Sequence, residues 1–282
     1  MNKLNIYSKS KTLLINELLK LENFEFKEEK KITQDNLDVY FHSGAINKIA
    51  STYIINAKIV IANSKSAKKE IIEKTQVKSE KIHVIYPAIK KPTLNAKDAK
   101  KQLCEELEIS KKERIIFFTS RTLKTNGVKE LFDIVMSLNN RNFKIIIASD
   151  SEQINTLKFQ IAKYKLDDKV IFYENFKEMD LLYAACDIFV LPTYVKNFSL
   201  SILKAMSLKS AVFVSATNSA KEIVDVFSTM ESPEDPNTSF KIDALLKEKA
   251  DLKLIKKQNA KIAKEFYVER QKERVLSILN IT

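Results

Sequence analysis

Cysteine and histidine are nearly absent from this chain, at two of each in 282 residues, and no Cys-x-x-Cys pair occurs. That scarcity makes a disulfide framework unnecessary and argues against a structural zinc or iron–sulfur site, whose ligands come from clustered thiols and imidazoles. Cys104 and Cys186 fall far apart in apolar or amphipathic runs and read as small buried residues. Glycine is as rare, with only Gly44 and Gly127, so the first predicted strand, LNIY, runs into SKSKTLL with no glycine-rich turn. No apolar run approaches the roughly 18 residues of a spanning helix. Met1 to Lys20 alternates lysines with short apolar runs and shows no leader-like core, so a cytoplasmic protein is expected. Aromatic residues do not interleave with arginines and no finger, homeodomain or single-strand-binding signature appears. Nucleic acid is therefore not an expected partner.

Lysine is what the chain has in excess. Lysine plus arginine number 48 against 36 acidic residues, a formal net charge of +12. Such a field either meets an anionic partner or stays a solvated surface. Residues 1–90 alone hold 16 lysines and 10 acidic residues. Lysines 65, 68, 69, 74 and 78 gather along a helix after Asn63, with 65, 68 and 69 on one face, and predict peripheral, salt-sensitive contact with an anionic membrane surface on its inner, cytoplasmic side.

Short strands alternate with helices through the first ninety residues: LNIY, a helix over 11–21, LDVYF, a helix through KIASTYI, KIVIA, a helix over 64–74 capped by Asn63 or Ser64, and KIHVIY. Pro87 and Pro92 bracket AIKK and mark 86–96 as the linker. After the helix DAKKQLCEELEI the alternation becomes regular. The strands RIIFFTS, FKIIIAS, KVIFY, DIFVLP and AVFVSA are separated by helices of about ten residues, and SAKEIVDVF reads as a last helix. Continuous apolar strands of this kind belong to a parallel sheet covered on both faces, with ligands at the carboxyl ends of the strands. The tail after Glu231 predicts one or two charged helices over 241–279, docked by Leu252, Ile255, Ile262 and Phe266. The expected fold class is α/β. The expected organisation is a short amino-terminal domain over 1–90, a larger one over 91–240, and carboxyl-terminal helices over 241–282 that pack back on them.

Three strand-to-helix loops can carry chemistry. SRTLKTNG, Ser120 to Gly127, puts Arg121 and a flexible turn before a helix, where free N–H groups favour phosphate. PTYVKNFSLSILKAM, Pro192 to Met206, starts a helix near Ser199, with Lys196 in the loop and Lys204 at least a turn inside. ATNSAKEI places Asn218 and Ser219 at a helix cap and Glu222 on the first turn, which a purely structural role explains.

Those loops, together with AKIVIANSKSAKKEIIEKTQVKSEKIHVIYPAI and the segment KYKLDDKVIFYENFKEMDLLYAACDIFVLPTYVKNFSLSILKAMSLKSAVFVSATNSAKEIV, resemble family four of the retaining, nucleotide-sugar-dependent glycosyltransferases, of GT-B type. The resemblance covers about residues 55–225. It implies two facing Rossmann-like domains, the amino-terminal one shortened here, with the nucleotide sugar held by the carboxyl-terminal domain, the acceptor by the other, and no obligatory cofactor. It assigns Ser120, Arg121, Asn126 and Gly127 to the donor diphosphate, with asparagine at the family's lysine position. Lys196, Phe198, Ser199, Leu200 and Lys204 fall on its second donor loop, where both family glutamates are replaced by lysine. His42 in FHSGAI matches a family histidine near the transferred sugar, or is a structural histidine at a strand end.

Two functions follow from the resemblance. One is transfer of a sugar from a nucleotide diphosphate donor to a glycan or lipid-linked acceptor. The other is a non-catalytic relative that binds a glycan, a nucleotide or an active transferase partner, because an ammonium has donors only and cannot replace a carboxylate near developing positive charge.

Overall fold

The computed structural model describes residues 3–28, 37–174 and 178–281. Residues 175–177, inside the long segment that carries the resemblance, lie outside the described residues. The chain divides into two compact units, one of 1–91 with 265–282 and one of 92–264.

In the first unit, β1 (Leu4–Ser8), β2 (Phe24–Phe26), β3 (Val39–His42), β4 (Ile59–Ala62) and β5 (Ile82–Val84) form a parallel sheet in the order β2-β1-β3-β4-β5. Side chains alternate between its faces, and both are buried. Ile6, Val39, Phe41 and Ile61 point to one core, while Tyr7, Tyr40, Val60 and Ala62 point to the other. Helix α1 (Leu13–Leu18) covers the first face with Leu14, Ile15 and Leu18. Helices α2 (Lys48–Asn56) and α3 (Lys65–Thr75) cover the second with Ile54 and Ile71. Ser64 caps α3, its Oγ accepting from Ala67 N at 3.0 Å.

The second unit begins with α4 (Ala96–Glu106) and then alternates β6 (Arg114–Thr119), α5 (Val128–Met136), β7 (Phe143–Ser149), α6 (Ser151–Ile161), β8 (Val170–Glu174), α7 (Met179–Ala185), β9 (Ile188–Leu191), α8 (Leu200–Ser207), β10 (Ala211–Ser215) and β11 (Thr229–Met230). All strand pairs are parallel and the order is β11-β10-β9-β6-β7-β8. Counted from β6, this is the doubly wound order 3-2-1-4-5-6, with its switch point between β6 and β9. Phe117, Phe118, Phe132, Phe143, Phe189 and Phe213 fill the core and are fully buried. Both cysteines are buried, and burial pushes the Cys186 thiol up to about 12, so it stays protonated.

Three expectations are corrected. SAKEIVDVF is two short 3-10 turns, Ser219–Ile223 and Val226–Ser228, because Asp225 turns its side chain onto Phe227 N at 2.8 Å and restarts the chain there. The tail holds three helices: α9 (Asn237–Lys247), α10 (Lys249–Ala263) and α11 (Val268–Ile278). Of the expected stripe, Leu252 and Phe266 are buried, but Ile262 is 36% exposed and its place is taken by Asn259 and Ala263. Asn259 is satisfied there, donating to Ser210 O at 2.9 Å. Helix α11 joins the first unit, where Val268 N donates to Ile89 O at 2.9 Å and Val268 and Val275 enter the same core as α1. Among the described residues no helix is long and apolar enough to cross a membrane.

Candidate functional site

A cavity of about 620 Å³ opens at the carboxyl ends of β6, β7 and β9, at the switch point of the second sheet. Two strand-to-helix loops meet there because Gly127 lets them. Gly127 has φ +82°, which glycine adopts without cost, and a Cβ on it would sit 1.8 Å from Pro192 O. The loops are then stitched together by side chains. Thr193 Oγ1 donates to Asn126 Oδ1 at 2.7 Å, and Asn126 Nδ2 donates to Thr122 O and Oγ1 at 3.1 and 3.0 Å. Asn126 lines the cavity, yet its amide is committed to joining the loops, a role unlike that of an anion-binding lysine.

Gln153 holds the first loop from outside, accepting from Leu123 N at 2.6 Å and donating to Arg121 O. Arg121 and Ser120 line the cavity. Asp150, also in the wall, accepts from Gln153 N at 3.0 Å; this bond and the Gln153 side chain hold its carboxyl below the usual aspartate range. Asn218 fixes the second loop. Its Oδ1 accepts from Ser199 N and Ala220 N, and its Nδ2 donates to Val195 O and Asn197 O at 2.9 and 2.6 Å.

Ser199 is the residue before α8, and with Leu200 and Ser201 it forms the cavity wall opposite Arg121's loop. The Ser199 N–H is taken by Asn218, whereas helix geometry leaves those of Leu200 and Ser201 without an intrahelical acceptor. Lys204, one turn inside, lines the cavity with its Nζ 3.5 Å from Asp180 Oδ1 and 5.9 Å from the centre of the Tyr183 ring. Burial pushes the Tyr183 phenol up. Three expected residues are not in the wall: Gly127 packs against Pro192 behind it, Phe198 is buried, and Lys196 is exposed with its carbonyl accepting from Ser219 N and Oγ, both at 2.9 Å.

His42 belongs to the first unit, at the carboxyl end of β3 beside β1, and is 4% exposed. Its Nδ1 lies 3.3 Å from Tyr40 Oη. Burial lowers its pKa against the opposing effects of the Gly44 backbone bond and Glu70, so the ring is neutral at pH 7. On α3, Lys68 is not free to face a membrane, because its Nζ donates to Ser79 O at 3.0 Å and Ile82 O at 2.7 Å. Among the described residues no group of three or more His, Cys, Asp or Glu side chains is placed to hold a metal ion.

Asp150, Gln153 and Thr193 are not among the residues expected from the sequence. For the first two a signal existed, since a strand ending in ASDSEQ carries an N-cap aspartate three residues before a glutamine. Thr193 had none, as its partner lies 67 residues away.

Two parallel α/β units, the amino-terminal one with fewer strands, and a cavity at the second unit's switch point define a double Rossmann-like protein of GT-B type. Residues 99–264 match the family described as glycosyl transferases group 1, and the chain belongs to that family. HepE of Anabaena, solved in complex with UDP and glucose, is similar in fold with a TM-score of 0.77 at 18% identity, over 98% of this chain and 77% of that one. A glycosyltransferase of Rickettsia africae gives a TM-score of 0.76 at 19% identity, over 99% and 78%. Sucrose-phosphate synthase of Thermosynechococcus elongatus gives 0.70 at 16%, over 94% and 69%. No curated protein sequence matches the chain.

Proposed function

We propose that the cavity binds the diphosphate of a nucleotide sugar and that the protein transfers the sugar to a glycan or lipid-linked acceptor at the cytoplasmic face of a membrane. The observation that carries this reading is the pairing, in one cavity, of the Arg121 side chain with the free N–H groups at the start of α8. A guanidinium fork and a helix amino terminus are the two groups that best neutralise a departing diphosphate without a metal. The UDP held by HepE supports the choice of ligand.

Lys204 bears on catalysis. It stands where the family resemblance implies the second of two glutamates, and Lys196 where it implies the first. An ammonium at 204 favours the diphosphate but cannot accept from ribose hydroxyls. This favours a second reading, a non-catalytic relative that binds donor or glycan and serves an active transferase partner. Titration calorimetry with UDP and GDP, followed by assay of UDP-sugar turnover, separates the two. Micromolar binding with turnover supports the enzyme, binding without turnover supports the partner role, and no heat with either nucleotide removes the donor site.

Arg121→Ala should weaken UDP binding by about 1.5–3 kcal/mol, the scale of a charge-assisted hydrogen bond. Unchanged affinity would show that the diphosphate lies elsewhere. Lys204→Glu should weaken UDP binding as well, because two carboxylates would then face each other at the Asp180 position beside the diphosphate. Its effect on stability should stay below about 1 kcal/mol, since the Lys204–Asp180 pair is exposed. Tighter UDP binding by this variant would mean that Lys204 opposes the donor.

A further inference from the structure

A second and larger concavity, about 930 Å³, lies at the opposite edge of the second sheet, where Arg114 and Asp187 mark the amino ends of β6 and β9. Helix α10 forms its long wall. Lys249, Lys253, Lys257, Lys261 and Lys264 succeed one another at intervals of four, four, four and three residues, and Lys209 joins them from the turn after α8. Four residues of helix rise about 6 Å, so the stripe is a row of ammonium groups one turn apart. All six lysines are exposed, and no ion pair engages them among the described residues. Some exposed lysines elsewhere have carboxylates at hand, as in Lys20–Glu17, Lys58–Asp38 and Lys74–Glu70. The one carboxylate among the described residues lining this groove, Asp187, is buried and already shared by Lys100, Arg114 and Lys256.

We infer that this groove binds a linear anionic glycan, a sugar chain carrying carboxylate or phosphate groups. The inference rests on the reading above that the protein acts on glycans, and it adds the charge of the chain and the place where it docks. Charge complementarity requires a polyanion, because six like charges along one groove repel each other until counterions or a ligand neutralise them. The groove is concave and its lysines run in a row along it, which suits a chain better than a flat bilayer. Among the described residues no aromatic side chain lines it for base stacking, and the one guanidinium in its lining, Arg114, is spent on Asp187. Its apolar floor, Leu252 with Ala96 and Ala260, suits the C–H faces of sugar rings.

The test uses the full chain, fluorescent oligogalacturonates of about a dozen sugars, and neutral dextran of the same length as control, in anisotropy titrations across a salt series. Wild type should bind the anionic chain at about 50 mM salt and lose it steeply as salt rises, without binding dextran. Lys253→Glu combined with Lys257→Glu and Lys261→Glu should weaken binding by roughly tenfold or more and flatten the salt dependence. The corresponding glutamine triple variant, which keeps the helix propensity and adds no negative charge, should show a smaller loss in the same direction. The same charge reversal on α3, at Lys65, Lys69 and Lys74, should leave affinity within about twofold. UDP affinity, read in parallel, should be unchanged in all of them, so failure of the groove and failure of the donor site are told apart. No binding at 50 mM salt, equal losses from the two triple reversals, or tighter binding to single-stranded RNA or to anionic vesicles than to the glycan would each overturn the assignment.

Discussion

Asp187→Asn is expected to destabilise the second unit by about 3–5 kcal/mol in urea unfolding, the range found when one member of a buried charge cluster is removed. Asp187 is 3% exposed at the start of β9, and its carboxylate receives Lys100 Nζ at 2.5 Å, Lys256 Nζ at 3.2 Å, Arg114 Nη1 at 3.4 Å and Ile115 N at 3.1 Å. It thus joins α4, β6, β9 and α10. Asparagine keeps the size and one acceptor but leaves three cations crowded without a counter-charge. Burial by itself would raise the Asp187 carboxyl, but Lys256 and Lys100, with the hydrogen bonds from Lys100 and Ile115, outweigh it and hold the group below the usual aspartate range. A folded-state pKa below the unfolded one gives stability that is complete above the unfolded value, near pH 4, and is lost as pH falls through the folded one. Wild type should therefore lose stability on acidification below about pH 4, and the asparagine variant should lose less over the same range. An unchanged urea midpoint in the variant would mean that the cluster contributes no net stability.

The second large effect is expected at Gly127. Alanine there must adopt φ +82° and place its Cβ 1.8 Å from Pro192 O, a backbone atom that cannot swing aside. Left-handed strain and the forced separation of the two loops together should cost on the order of 3 kcal/mol. The damage should also be directional. Separating the loops breaks the Thr193–Asn126 bond and moves Arg121 away from the start of α8, so UDP affinity should fall further than Arg121→Ala alone lowers it. If Gly127→Ala folds with wild-type stability and binds UDP normally, the close approach of the loops is not what builds the cavity.

How much of this was legible in the sequence depends on how far each determinant reaches. The strands RIIFFT, FKIIIAS and IFVL declare themselves because a strand buried on both faces is apolar without interruption, and the loops at their carboxyl ends follow from the right-handed crossover. Phe24–Phe26 and Thr229–Met230 are edge strands too short to show a period. The helix read over SAKEIVDVF failed because its apolar residues satisfy a helical pattern while Asn218 and Asp225 cap two separate turns, leaving Val226 86% exposed. At the cavity, Arg121, Ser199, Leu200 and Lys204 could be placed from their position after a strand. Whether Lys196 points into the cavity is decided by the hold of Ser219 on its carbonyl from 23 residues away, which no local pattern encodes. Asn126 shows the same limit, since a sequence records the loss of a lysine but not that the asparagine is occupied with Thr122 and Thr193.

The return of α11 to the first unit has a consequence for biosynthesis. Domains of a growing chain usually fold in the order in which they are made. Here the core around α1, β1 and β3 also contains Val268 and Val275, so the unit translated first lacks part of its interior until the unit translated second has been completed. Residues 92–264 form a compact unit of their own and can mature first, while residues 1–91 wait with the α1 face of their sheet only partly covered. A chain truncated after residue 264 should accordingly show a protease-resistant second unit joined to a sensitive first one, a reversal of the usual vectorial order.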